Sequence, residues 1–214
     1  MNAMIEALGL SALRRIDPEA AHGLAIRALR AGLTPRPGAI TSPRLATRVA
    51  GLELPNPVGL AAGFDKNATA VAPLSNAGFG FIEVGAATPR PQDGNPKPRI
   101  FRLVEDEGVI NRLGFNNEGH DEALKRLEAR KHNSGILGVN IGANKTSQDF
   151  VADYEKGIEK FFGVASYYTA NISSPNIVSA SLSNTNEITL YTEKVADAIT
   201  ADAGIESHFR LEGS

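Results

Sequence analysis

Hydrophobic residues in the first forty positions recur at the spacing of an α-helix. They indicate two short amphipathic helices separated by Asp17 and Pro18. The apolar stripes are Ile5, Leu8, Leu10 and Leu13 on the first helix and Leu24, Ala25, Ala28 and Leu29 on the second. An Asp at the N-cap followed by Pro favours a helix start, so the second helix is expected to begin there. Such a pair can pack on its own domain, or lie on a membrane with its Arg residues toward the headgroups.

After residue 50 the pattern changes to short apolar runs that alternate with segments of helical period. This alternation is typical of βα units, and runs with few polar residues favour a parallel sheet covered on both faces. The predicted strands are 56–62, 79–85, 135–141 and 167–172, and the predicted helices are 67–76, 118–130 and 149–162. A long excursion at 86–117 follows the second strand, and within it residues 100–104 and 108–110 can pair as a hairpin.

Length, composition and charge narrow the possible functions. The chain has 214 residues, fewer than the roughly 250 of a complete eight-unit α/β barrel. It contains no Cys, which excludes disulfides, thiolate metal sites and a Cys nucleophile. The net charge is −2, although residues 1–50 hold seven Arg against three acidic residues. This balance gives no general attraction to nucleic acid, and the sequence predicts neither a secretion signal nor a membrane span.

Candidate chemistry follows the predicted strands, because the site of a parallel barrel lies at the carboxyl ends of its strands. The segments concerned are 61–66 (AAGFDK), 85–88 (GAAT), 111–117 (NRLGFNN), 140–144 (NIGAN) and 171–176 (NISSPN). Small residues let a flat ligand approach the backbone, and several Asn side chains can read the edge of a heterocycle. Lys66 suits a carboxylate or charge on a reduced ring. Each residue also has an ordinary structural interpretation, as a turn cap or a solvated charge.

The sequence lacks the residue spacing of a phosphate-binding loop or a metal site. Residues 138–146 lack the glycine that precedes Lys in a phosphate-binding loop, and the His residues form no pair with metal-ligand spacing. His120 and His132 are predicted to be surface residues of one helix.

Five segments in order resemble the dihydroorotate dehydrogenase family, in its quinone-linked, membrane-associated branch. They are 13–22 (LRRIDPEAAH), 59–66 (GLAAGFDK), 88–92 (TPRPQ), 111–117 (NRLGFNN) and 171–176 (NISSPN). Together, with family-like gaps, they form a highly specific pattern. The resemblance implies a parallel βα (TIM) barrel with a flavin mononucleotide (FMN) cofactor. It also implies oxidation of dihydroorotate to orotate in pyrimidine (UMP) synthesis, with electrons passed to a membrane quinone.

The resemblance further implies roles for individual residues. Those expected at the flavin are Ala62, Gly63, Lys66, Ala86, Asn140 and Asn171. Those expected at the substrate are Lys66, Asn111, Arg112, Leu113, Gly114, Phe115, Asn171 and Asn176. Ser174 would be the base that takes the C5 proton, and no metal is expected. The N-terminal helices would form the quinone access at the lipid surface, which implies a peripheral protein on the cytoplasmic side of the inner cell membrane.

In this interpretation the likeness ends at Asn176 and the chain has three regions. Residues 1–38 are the N-terminal amphipathic membrane and quinone region, residues 39–176 the N-terminal part of the FMN-binding barrel, and residues 177–214 a tail unlike the family. About half of the barrel is then present. Two alternatives stay open: a catalytically inactive half-barrel that self-associates or binds membrane, and another flavin barrel of the dihydrouridine or dihydropyrimidine type.

Overall fold

A computed structural model describes residues 3–130 and 135–172, with side chains from residue 8 onward. The helices in these ranges are α1 (Ala3–Arg14), α2 (Pro18–Arg30), α3 (Val71–Ser75), α4 (Gly119–Glu128) and α5 (Phe150–Phe161). The strands are β1 (Thr47–Val49), β2 (Leu52–Leu54), β3 (Gly59–Leu60), β4 (Phe81–Ala87), β5 (Ile100–Leu103), β6 (Gly108–Asn111), β7 (Ile136–Ile141) and β8 (Tyr167–Ala170). The predicted βα segments are confirmed, since each corresponding element lies inside or close to its predicted range.

Four of the strands form a parallel sheet in the order β3-β4-β7-β8. The register places Phe81 of β4 between Gly59 of β3 and Ile136 of β7. Because neighbouring strands are parallel, their carboxyl ends lie at one edge of the sheet. The segments 61–66, 85–88 and 140–144 lie at these ends, so the fold gathers them at that edge; residues 173–176 lie outside the described residues.

The hydrophobic core lies between this sheet and helices α3, α4 and α5. Alternate residues of the central strands are almost fully buried in it: Ile82, Val84, Leu137, Val139 and Ile141. The helices contribute Leu74, Leu127, Ile158 and Phe161. Since side chains alternate along a strand, the intervening residues point to the opposite face of the sheet, where Glu83, Asn140 and Thr169 meet.

The excursion contains the predicted hairpin, in which β5 and β6 pair antiparallel with Phe101 opposite Ile110. A second antiparallel hairpin, β1–β2, is absent from the sequence-based prediction. Its turn residues Ala50 and Gly51 have φ values of 48° and 79°, the backbone that suits a tight link between two strands. Ala is an uncommon first residue for such a turn, so the sequence signal is weak.

The start of α2 and the end of α1 are both held by side chains. Asp17 caps α2 as predicted, with Oδ1 accepting from the N–H of Ala20 at 2.8 Å. The Arg102 guanidinium, from β5, reaches three carbonyl groups at or just beyond the end of α1. They belong to Leu13, Arg14 and Ile16, at 3.2, 3.1 and 2.8 Å. A cation at a helix C-terminus satisfies carbonyls that have no partner within the helix.

A second arginine ties α2 to the excursion. Arg99 is 8% exposed and forms a two-pronged ion pair with Glu19, at 3.0 Å (Nε to Oε2) and 2.6 Å (Nη2 to Oε1). Its remaining donor bonds the carbonyls of Asp93 and Asn95 at 2.5 and 2.9 Å. The hydrogen bond from Arg99 lowers the pKa of Glu19 despite the opposing effect of burial. The N-terminal helices are therefore anchored to the loop that carries the predicted substrate residues.

The prediction that His120 is a surface residue is wrong. Its side chain is 4% exposed, on the face of α4 that also carries Ala123 and Leu127. The ring meets Phe161 edge-on at 5.1 Å, and Nε2 lies 3.3 Å from the carbonyl oxygen of Ala87. His120 faces the core because it precedes Ala123 and Leu127 by three and seven residues, which places the three side chains on one face of the helix. His132 lies outside the described residues.

The burial of His120 leads us to expect an acid-sensitive fold. Burial lowers the pKa of this imidazole to about 4, from 6.5 in the unfolded chain. The unfolded chain therefore binds the proton more readily, and stability is lost as the pH falls from about 6.5 to about 4. The loss is about 3 kcal/mol at 1.36 kcal/mol per unit of pKa.

Urea unfolding of the wild type and of His120→Gln across this pH range measures the effect. The variant has no imidazole at this position, so its free energy of unfolding is expected to fall less steeply with acid than that of the wild type. Equal pH dependence in the two proteins would contradict the assignment.

Candidate active site at the strand ends

The loop after β3, residues 61–66, is fixed over the end of β4 by backbone hydrogen bonds. The N–H of Gly63 donates to Gly85 O at 2.7 Å, and the N–H of Gly85 donates to Asp65 O at 3.3 Å. The buried Asp65 carboxylate accepts from the N–H groups of Thr69 and Ala70 at 2.8 and 2.7 Å, ahead of α3. Asp65 therefore has a structural role, and Lys66 is the charged side chain of this loop that remains for a ligand.

Lys66 turns its amine back over this loop. Nζ donates to Gly63 O at 2.7 Å, and burial lowers the pKa of the amine. A partly buried ammonium with one carbonyl partner has two further donors, and it gains from contact with an anion. The side chain is thus suited to a carboxylate or to negative charge developing on a ring.

A cavity of about 780 Å³ opens beside Lys66, between α2 and the hairpin β5–β6. Its volume is within the range of small-molecule sites. Five predicted site residues line it: Ala62, Gly63, Lys66, Asn111 and Leu113. Predicted flavin and substrate residues from two distant segments therefore share one cavity.

Several polar residues of this cavity wall were not predicted from the sequence, among them Glu19, His22 and Arg102. His22 packs edge-on against Phe64 at 5.0 Å, and burial lowers its pKa, with a further contribution from the charge of Lys66. Glu19 and His22 lie one turn apart on α2, on the side opposite its exposed Leu24. The spacing alone could have suggested a common face, but only the fold shows that this face meets the strand ends.

Buried amides hold both ends of the excursion to the sheet. The Asn117 Nδ2 donates to Thr88 Oγ1 at 2.9 Å, and the Asn144 Nδ2 donates to the same oxygen at 3.1 Å. The Gln92 Nε2 donates to the carbonyls of Gly114 and Phe115, both at 3.2 Å. This network fixes the backbone of the predicted substrate loop, and it explains several of the strand-end Asn residues as structural.

The side chains of the predicted substrate loop, residues 111–115, point in different directions. Asn111 and Leu113 line the cavity, whereas Arg112 turns to the carbonyl of Pro98 at 3.0 Å. Gly114, with φ of +75°, approaches Asn95 so closely that a Cβ would lie 2.8 Å from its side chain. Phe115 packs over Gly142 after β7, where a Cβ on the glycine would lie 3.1 Å from the ring. Phe115 thereby joins the loop to the strand ends.

Two predicted flavin residues form a chain of amides on the partly buried face of the sheet. The Asn171 Nδ2 donates to Asn140 Oδ1 at 3.3 Å, and the Asn140 Nδ2 donates to Glu83 Oε1 at 2.8 Å. Ala86, also predicted at the flavin, is buried at the end of β4 and lies close to the Gly142 position. Ser174 and Asn176 lie outside the described residues.

A parallel sheet with a cavity and convergent amides at its carboxyl edge defines an α/β protein of the kind that holds a small ligand there. The chain belongs to the dihydroorotate dehydrogenase family: the family model described as "Dihydroorotate dehydrogenase" matches residues 44–202. The matched range continues past Asn176, into the segment that sequence reasoning assigned to a tail unlike the family.

Curated relatives that are similar to this chain carry the name of the same family. Dihydroorotate dehydrogenase (quinone) from Agrobacterium fabrum is 61% identical over 177 residues, which cover 82% of this chain and 48% of the relative. The mitochondrial dihydroorotate dehydrogenase (quinone) from Cyclocybe aegerita is 57% identical over 176 residues, covering 82% of this chain and 53% of the relative. The chain spans about half the length of the curated relatives it matches.

Solved structures of the family share the fold. The ligand-free crystal structure of DHODH from Eimeria tenella matches with a TM-score of 0.78 at 38% identity, over 91% of this chain and 55% of that chain. The complex of the Eimeria tenella protein with ferulenol matches with a TM-score of 0.76 at 39% identity, over 86% and 52%.

Proposed function

We propose that this chain forms the first half of a TIM barrel that oxidises dihydroorotate to orotate, with FMN as cofactor and a quinone as electron acceptor, in pyrimidine biosynthesis. One observation carries the proposal: the 61–66 loop, the 111–115 loop and the Asn140–Asn171 amides all lie at the carboxyl edge of one parallel sheet. Family membership and the names of the relatives support the substrate and the acceptor.

The residues present fit a flat, polar-edged cofactor such as FMN. Gly63 has φ of +98° and open space where a Cβ would stand, so a ring can approach this backbone closely. Asn140 and Asn171 do not line the cavity beside Lys66, but they offer amide donors and an acceptor near the carboxyl ends of β7 and β8. When bound, FMN supplies the acceptor for the hydride that leaves C6 of dihydroorotate. Ala62, Gly63, Lys66, Ala86, Asn140 and Asn171 are the residues that would hold it.

The substrate would lie between the 61–66 and 111–115 loops. The Lys66 ammonium can leave Gly63 O for the carboxylate of dihydroorotate, a stronger partner for a partly buried cation. Asn111 and Leu113 line the same cavity and would contact the ring, together with Asn171 and Asn176. Ser174 would take the proton from C5. Each of these side chains would therefore serve in binding, in orientation or in proton removal.

The quinone would reach the site along α2 from a membrane surface. Apolar side chains of the N-terminal helices are exposed, among them Leu8, Leu10 and Leu24 at 64%, 46% and 45%. The first fifty residues carry a net positive charge that suits anionic headgroups. Among the described residues, none of the helices has the length and apolar character to cross a bilayer. We propose peripheral attachment to the cytoplasmic side of the inner membrane.

Anaerobic absorbance spectroscopy tests the proposed reaction. The purified chain, supplied with FMN and freed of excess by gel filtration, is expected to keep the flavin and to lose the oxidised flavin absorbance when dihydroorotate is added. A colourless chain that takes up no FMN would instead favour the inactive half-barrel.

Exposed leucines of the N-terminal helices are expected to control membrane binding. Replacing Leu8, Leu10 and Leu24 together by Ser should weaken binding to vesicles that contain anionic lipid by more than about tenfold, since burial of even one Leu contributes on the order of 1.5–3 kcal/mol. These substitutions spare Glu19, whereas removal of residues 1–38 would break its ion pair with Arg99. Co-sedimentation with the vesicles measures the change.

Val58 provides the matched control, because it is 60% exposed and precedes β3 in another part of the fold. Val58→Ser is expected to leave vesicle binding unchanged. Equal binding by the triple variant and the wild type would contradict the proposed membrane surface.

A further inference from the structure

Glu83 is a carboxylate on the partly buried face of the sheet, and sequence reasoning gave it no role. Three side chains from β7 and β8, which lie on the same side of β4, donate to it. Asn140 Nδ2 bonds Oε1 at 2.8 Å, while the hydroxyls of Tyr167 and Thr169 bond Oε2 at 3.0 and 3.1 Å. The carboxylate is thus held in one orientation by donors from β7 and β8.

The sequence of β7 makes this arrangement possible. Glu83, Gly138 and Tyr167 are register partners on three adjacent strands. A Cβ on Gly138 would lie 2.2 Å from Cζ of Tyr167, so the tyrosine ring occupies the space above the glycine. Because Gly138 has no side chain, Tyr167 can cross β7 and reach Glu83 on β4.

The carboxylate sets the direction of the amide chain. A carboxylate accepts hydrogen bonds and cannot donate them, so Asn140 must turn its NH₂ group toward Glu83. Its Oδ1 then faces Asn171 and accepts from Nδ2 at 3.3 Å. Among the described residues none donates to the Oδ1 of Asn171, so this oxygen ends the series of amides as an acceptor.

The backbone of Asn171 is held as firmly as its side chain. Its N–H donates to Ile141 O at 2.9 Å, and its carbonyl accepts from the hydroxyl of Tyr154 at 2.8 Å. With the backbone fixed, the direction of the Asn171 amide depends on Asn140, and through Asn140 on Glu83.

We propose that Glu83 is a positioning residue that fixes the amide directions of Asn140 and Asn171, and so sets which edge of a flat heterocycle the site accepts. The inference rests on the proposed flavin site. A ligand edge fits these fixed amides if it places an N–H group against Asn171 Oδ1. The adjacent group of the ligand must then be a carbonyl, which accepts from the amide hydrogens that are still free. The reversed edge leaves a donor facing a donor, which costs binding free energy.

Hydrogen exchange of side-chain amides tests the inference without flavin. In the full chain, the NMR signals of the Asn140 NH₂ group are expected to exchange about tenfold more slowly than those of Asn in an unstructured peptide, because one hydrogen bonds a carboxylate. Glu83→Leu should bring both Asn140 and Asn171 close to the peptide rate. Glu83→Gln keeps an acceptor oxygen and should retain most of the protection.

Tyr167→Phe is the matched control, because it removes one donor to Glu83 and leaves the contact between Glu83 and Asn140. It should preserve the slow exchange of Asn140. Peptide-like exchange in the wild type would overturn the inference even if Glu83→Leu does not fold, and so would unchanged exchange in a folded Glu83→Leu variant.

A titration with FMN separates this inference from the proposed function. We expect Glu83→Leu to raise the Kd for FMN about tenfold and Tyr167→Phe to change it less than twofold. Equal FMN affinity in Glu83→Leu and the wild type would overturn the positioning role. A wild type that has protected amides and takes up no FMN would instead reject the proposed cofactor and leave the amide arrangement supported.

Discussion

Replacing Ser174 by Ala is expected to slow flavin reduction by dihydroorotate by roughly 10²- to 10⁴-fold at neutral pH, the usual contribution of a positioned acid or base. The C5 proton must leave as the C6 hydride is transferred, and alanine offers no group to receive it. Stopped-flow absorbance under anaerobic conditions, with the FMN-loaded chain, measures this rate directly. The amount of bound flavin is expected to stay the same.

Two further variants make this test specific. Ser174→Cys is expected to restore part of the rate, and the restored rate should rise with pH because a thiol ionises near 8.5. The neighbouring Ser173→Ala should leave the rate within about twofold of the wild type. Rapid flavin reduction in Ser174→Ala would exclude the serine as the base and would show that another group accepts the C5 proton.

Arg99→Ala is expected to lower the free energy of unfolding by about 3 kcal/mol. Arg99 is 8% exposed, and its removal leaves the carbonyls of Asp93 and Asn95 without their charged donor and leaves Glu19 with the exposed Lys97, at 3.5 Å, as its remaining cationic partner among the described residues. Removing one member of a largely buried ion pair costs this much because the other charge stays desolvated. Urea unfolding at neutral pH measures the loss.

The exposed ion pair of Arg48 and Glu53 supplies the control, with side chains 70% and 76% exposed. Arg48→Ala is expected to change stability by less than about 1 kcal/mol. The pH dependence should differ as well, because Arg99 lowers the pKa of Glu19. That contribution is present above the ordinary carboxylate pKa and is lost as the pH falls through the lowered value. Similar losses in the two variants would contradict the anchoring role of Arg99.

The order of strands and helices could be predicted because each βα unit leaves a local pattern. The largely apolar run 136–141 predicts a buried strand, and the apolar residues of the α5 segment recur with helical period. Both elements occur where expected. The β1–β2 hairpin could not be predicted with the same ease, since Ala50 and Gly51 form a weak turn signal. The surface prediction for His120 failed because histidine was taken as a polar residue, although its position is in register with Ala123 and Leu127 on the apolar face of α4.

The location of the candidate site could also be predicted, whereas its internal contacts could not. Parallel strands bring their ends to one edge, so the loops with Gly63 and Asn140 had to lie near each other. Pairings that span long stretches of sequence carry no local signal. The contacts of Glu83 with Tyr167 and of Arg99 with Glu19 are of this kind, and only the folded chain reveals them.

A crystal structure of the chain with FMN and orotate tests most directly whether one site unites these segments. We expect the flavin ring against Gly63 with its edge on Asn140 and Asn171, and the orotate carboxylate within hydrogen-bond distance of the Lys66 amine. A flavin bound elsewhere, or an orotate beyond the reach of both Lys66 and Asn111, would contradict the proposed active site.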